Sequence, residues 1–159
     1  MTDTRATGYD GLASRFVPED EFRAFLLACF GLAGHELFLG HADRLAEDLR
    51  DVPPEVRFPA FCTYREVSGH FAMGYDVGVE GYLVDRVGRR EFTERFAARF
   101  DAYVLYGDTE PPGLWTVILP DGSRLCAAME EGEDDSFVLD AATAPVPGLP
   151  EVPVIPGLG

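Results

Sequence analysis

The chain has 159 residues, with 28 Asp plus Glu against 13 Arg and no Lys, for a formal net charge of −15. That length suits one α+β domain of ordinary size, and a composition 47% hydrophobic and 12% aromatic is that of a folded globule. The charge argues against nucleic acid and anionic membranes as partners, since both recruit clustered cations.

Residues 1–16 are polar, Gly-containing and aperiodic, and read as a loose N-terminal arm. Pro18 suits the first helical position, and Glu19, Asp20 and Glu21 put negative charge where the helix dipole is positive. Phe22, Phe25, Leu26, Cys29, Phe30 and Ala33 then recur on one stripe, which predicts a helix ending at Gly34. A second, shorter helix is expected over Ala42 to Asp51, with Leu45 and Leu49 on its apolar face and Arg44 spaced to pair with Asp48. Residues 56–85 are rich in aromatic and β-branched residues interrupted by Gly69, Gly74, Gly78 and Gly81, and read as two or three strands with turns or bulges.

Phe92, Phe96 and Phe100 share one face of a helix expected over Arg89 to Asp101. Strand candidates follow at Ala102–Tyr106, Leu114–Leu119, Arg124–Met129 and Phe137–Leu139. Pro120-Asp121-Gly122 is a turn signal, and residues 130–135 read as an acidic loop. From Ala141 five prolines interleave with Val, Leu and Gly, so residues 143–159 read as an extended Pro/Gly-rich tail behind a single domain over 17–142. The order of elements predicts an α+β fold with a mostly antiparallel sheet on two or three helices.

No apolar run approaches the roughly 20 residues that span a bilayer. The start MTDTRATGYDG lacks the basic stretch and apolar core of a secretory signal, which predicts a cytoplasmic protein. Cys29, Cys62 and Cys126 are odd in number and widely spaced, and read as buried thiols.

Catalytic signatures are sparse. His35-Glu36 opens like a metalloprotease helix, but His41 lies six residues on, about 240° around a helix, where it cannot share a metal with His35. The chain contains no GxxxxGK[ST], no GxSxG and no Rossmann glycine set, and residues 130–135 lack the spacing of a calcium loop. No catalytic residue, metal ligand or cofactor is assigned.

The charge is uneven. Residues 1–100 hold 17 acids and 12 Arg, whereas residues 101–159 hold 11 acids and only Arg124. Asp108, Glu110, Glu130, Glu131, Glu133, Asp134 and Asp135, near Tyr106 and Trp115, are therefore the expected binding surface for a basic protein, the acids steering and the rings anchoring. The YVLYG strand at 103–107, the LWTVILPDG hairpin at 114–122 and the acidic loop after them resemble the immunity proteins of bacterial polymorphic toxin systems. That resemblance implies inhibition of a basic toxin by surface occlusion. Two other readings remain open. One is a small-molecule-binding protein or enzyme with an aromatic-lined cleft near His70, using Tyr64, Arg65, Glu66, Tyr75 and the thiol of Cys62. The other is an accessory subunit that docks through its Pro-rich tail.

Overall fold

A computed structural model describes residues 6–107 and 114–158. They form an α+β fold: four helices and a mixed sheet of nine strands in the order β2-β3-β5-β1-β6-β7-β8-β9-β4. The strands are β1 Ala6–Ala13, β2 Leu37–His41, β3 Ala60–Glu66, β4 Ser68–Gly69, β5 Met73–Glu80, β6 Val104–Tyr106, β7 Leu114–Ile118, β8 Arg124–Glu131 and β9 Ser136–Ala142. The helices are α1 Glu19–Phe30, α2 Leu45–Leu49, α3 Gly81–Val84 and α4 Arg89–Phe100. Among the described residues no helix is long and apolar enough to cross a membrane.

The contacts divide the described residues into two compact units, one made of residues 6–10, 17–65 and 75–92, the other of 11–16, 66–74, 93–107 and 114–158. In the first, α1 forms because five of its residues, Phe22, Phe25, Leu26, Cys29 and Phe30, line one buried face. It stops at Gly31 rather than at Gly34, because Gly31 takes a left-handed φ of 65° and its N–H donates to the Leu27 carbonyl. With no basic residue in the last turn, Arg86 supplies the missing cation, donating to the Phe30 carbonyl at 2.7 Å. Phe25 and Phe92 meet edge to face at 5.4 Å, while Phe30 stacks on Phe92 at 5.8 Å.

Tyr9 joins this cluster, which corrects the reading of a loose arm over residues 6–16; residues 1–5 of that arm lie outside the described residues. Its ring is 2% exposed and packs on Phe92, and its hydroxyl donates to the Val87 carbonyl at 2.6 Å. Residues 6–13 are a strand because that buried aromatic and Leu12 and Ala13 require a partner surface. β2 lies parallel to β3, with Leu37 opposite Ala60 and His41 opposite Tyr64. The expected second helix is a 3-10 turn at Ala42–Arg44 followed by the five-residue α2, and Gly81–Val84 is helical rather than strand.

In the second unit β6, β7, β8 and β9 run antiparallel in sequence order, with Gly122 at a φ of 89° in the β7–β8 turn. β4 instead lies parallel to β9, pairing Ser68 with Ser136 and Gly69 with Phe137. The Pro-rich segment carries no regular helix or strand among its described residues, but it does not dangle. Val146 and Val152 are buried against Leu139 and Ala142, and Val154 bridges to Ala142. The segment packs because burying its valines returns apolar area to the core.

Gly69 is the tightest backbone position of this unit. Its φ is 90°, and a Cβ there would lie 2.2 Å from the Phe137 carbonyl oxygen. Gly69→Ala is expected to lower stability in urea unfolding by about 3 kcal/mol. A loss under about 0.5 kcal/mol would show that β4 adapts freely.

Candidate functional site

The β8–β9 hairpin presents the carboxylates that the charge pattern singled out. On β8, Leu125 and Ala127 are buried, and on β9 Phe137 and Leu139 are, so the apolar side of each strand faces the core. The register shifts at Ala128/Met129, a bulge that carries the strand on to Glu130 and Glu131. Glu130 pairs with Val138 and Glu131 with Phe137, so both acids belong to β8 rather than to a loop. At the tip the Gly132 N–H donates to the Ser136 carbonyl at 2.7 Å. Asp134 and Asp135 both take left-handed φ, at 57° and 55°, a conformation that aspartate tolerates better than most side chains. Residues 130–135 are all exposed. The tip is tied down from β4, where the Ser68 N–H donates to the Asp135 carbonyl at 3.0 Å.

The expected aromatic anchors are not arranged as the sequence suggested. Tyr106 is 1% exposed, because Val104, Leu105 and Tyr106 of β6 are buried without alternation. It is a core residue and offers no surface to a partner. Trp115 is half-buried and packs against the core of its unit. Asp108 and Glu110 lie outside the described residues.

His70 is a structural bridge between β9 and the C-terminal segment. Its Nδ1 accepts from the Leu139 N–H at 3.0 Å, so its ring proton sits on Nε2, which faces Glu151 Oε1 at 3.2 Å. Its backbone carbonyl accepts from the Tyr103 hydroxyl. Burial, then the negative charge of Glu151, push that hydroxyl up to about 12. Every polar atom of the ring is thus engaged in holding β9 and the C-terminal segment together.

In the first unit Cys62 is fully buried, and burial pushes its thiol far up, against the weaker pull of Arg23 and a backbone hydrogen bond at Gly78. A thiol held so firmly protonated is no nucleophile. Tyr75 is 2% exposed and meets Phe22 edge to face at 5.9 Å, as core packing. Tyr64 donates to Glu19 Oε1 at 2.9 Å, and Arg65 reaches Asp76 at 4.0 Å. Glu66 is the exposed last residue of β3. Among the described residues no three His, Cys, Asp or Glu group so as to hold a metal ion.

One cavity went unread in the sequence. It has a volume of about 420 Å³ in the first unit, between α1, β2 and α2, with Glu19, Arg23, Arg44 and Asp48 on its walls. The only trace of it was two acid–arginine pairs at i, i+4 spacing, which serve equally well as ordinary surface pairs.

Asp10 of β1 and Asp76 of β5, on neighbouring strands, form a carboxyl pair. Partial burial, then the charge of Asp76 and a hydrogen bond with it, raise Asp10 above its ordinary 3.8, against the pull of Arg89. The folded form therefore holds its proton more tightly than the unfolded chain. The stabilisation is complete below the ordinary value and is lost as pH rises through the raised one. Urea unfolding is expected to show the wild type losing more stability from pH 4 to pH 7 than Asp10→Asn, with the variant the more stable at pH 7. Parallel pH profiles would contradict the pairing.

No protein-family model, no curated protein and no solved structure matches the chain.

Proposed function

We propose that the chain is an acidic protein-binding module whose β8–β9 hairpin receives a basic protein. The observation that carries this reading is the display of Glu130, Glu131, Glu133, Asp134 and Asp135, all exposed, around the tip of a hairpin anchored by buried Leu125, Phe137 and Leu139. Like charges gathered at the tip of a fixed strand pair create a field that steers a cationic surface and raises its association rate. The distribution of charge supports the same reading, since after residue 100 only Arg124 opposes 11 acids. Arg124 stands at the start of β8, at the far end of the strand from the tip.

The resemblance to immunity proteins makes a basic, nucleic-acid-directed toxin the class of partner to try first, neutralised by occlusion of its surface in the cytoplasm. With Tyr106 buried, the tip works through charge and backbone shape, and the partly buried Trp115 contributes little.

The test is affinity capture from the source lysate with the full chain as bait, at low salt and again at about 0.5 M, where screening shortens to a few Å. A single basic protein retained at low salt and released at high salt is the expected result. The double reversal Glu130→Lys plus Asp134→Lys is expected to weaken that complex by about tenfold or more. Equal capture by the reversed hairpin, or retention indifferent to salt, would contradict the assignment.

A further inference from the structure

We infer that the cavity between α1, β2 and α2 is a binding site for a small zwitterion, of the free amino-acid or dipeptide class. The inference is independent of the hairpin and concerns residues of the first unit alone.

Its walls carry two acids and two arginines, one of each from either side. α1 contributes Glu19 and Arg23, and the turn into α2 with α2 itself contributes Arg44 and Asp48. A purely cationic ligand would meet Arg23 and Arg44, and a purely anionic one would meet Glu19 and Asp48. A ligand bearing both charges satisfies both sets, its carboxylate on a guanidinium and its ammonium on a carboxylate. Leu37, Phe38 and Leu39 of β2 complete the lining, and Phe38 is stacked on Phe61 at 4.6 Å. Leu37 and Leu39 are themselves buried, so the accessible walls are mainly polar, as a doubly charged ligand requires. A volume of about 420 Å³ falls within the usual range of small-molecule pockets.

Three of the charged groups are already oriented. Arg23 donates to the Leu39 carbonyl at 3.3 Å, and Glu19 accepts from Tyr64 at 2.9 Å. Asp48 approaches the backbone at Gly40 so closely that a Cβ there would lie 2.8 Å from its Oδ2. Gly40 thereby lets the carboxylate sit over β2. The pair across the cavity, Arg44 to Glu19, is long at 3.9 Å and well exposed. Such a pair is weak, so a ligand can exchange its partners at little cost.

The test is a two-dimensional NMR titration of the full isotope-labelled chain with leucine, leucyl-leucine, N-acetyl-leucyl-leucine and leucyl-leucinamide. Saturable shifts at the amides of Gly40, Arg44 and Asp48 are expected for leucine or leucyl-leucine, and which of the two binds more tightly reports the length of the ligand. Capping either end is expected to weaken binding about tenfold or more, as are Arg23→Gln and the exposed Asp48→Asn. The hairpin reversal Glu130→Lys plus Asp134→Lys should leave the titration unchanged, which separates this site from the one proposed above. Absence of saturable shifts up to roughly 10 mM of either free ligand, or equal binding of the capped peptides, would overturn the inference.

Discussion

The alternation of β8 and β9 is the constraint on which the acidic surface depends. Leu125, Ala127, Phe137 and Leu139 point into the core, and that fixes the register that carries Glu130 and Glu131 out to the exposed tip. Each large residue so buried is worth about 2 kcal/mol relative to exposure, far more than surface pairing of the charges contributes. The carboxylates are therefore presented by a structure that does not need them. A slip of one residue would exchange the two faces and put Leu125, Phe137 and Leu139 in water. The bulge at Ala128/Met129 and the parallel contact of β4 pin the register from both sides.

β4 and His70 extend that constraint beyond the hairpin. Gly69 can approach Phe137 only because it lacks a Cβ, and the next residue then sets its ring against the Leu139 N–H and Glu151. The same histidine accepts the Tyr103 hydroxyl through its carbonyl. Val146 and Val152 close over the same core, so a segment written in prolines becomes part of the packed unit. Its prolines remove backbone donors, which suits a segment that contributes few ladder hydrogen bonds and much apolar area. In the first unit a cluster of rings centred on Phe92 does comparable work, and it recruits Tyr9 from the start of the chain.

The α+β class was legible in the sequence because α1, α4 and β6–β9 carry strong local signals: stripes of Phe at helical spacing and short apolar runs around a Pro-Asp-Gly turn. What was not legible depends on distant partners. Residues 6–13 show no clean alternation, and only contact with Phe92 and Val87 makes Tyr9 a core residue. β2 is short and closed by Gly40 and His41, so the sequence assigns no element there, and it is a strand because β3 lies alongside it. Tyr82 and Val84 favour strands, yet they sit in a single helical turn. Of the candidate site, the acids of 130–135 read as one loop because a run of like charges carries no alternation, whereas Glu130 and Glu131 extend β8. The burial of Tyr106 was not legible either, because a strand covered on both faces and one with an exposed aromatic read alike. His70 shows the same limit, since its partners lie 33, 69 and 81 positions away in the chain.

The central claim is that the acidic hairpin exists preformed, held by its buried face and by His70, before any partner arrives. Native-state amide hydrogen exchange on the free protein tests it most directly. The N–H groups of His70, Leu139 and Thr143 donate to Phe137, His70 and Cys126, and the account predicts that they exchange only through global unfolding. The amides of Glu133 and Asp134 at the exposed tip should exchange far faster. If Leu139 and His70 exchange as readily as the tip, the hairpin is not a rigid platform, and the account of how it presents its carboxylates is wrong.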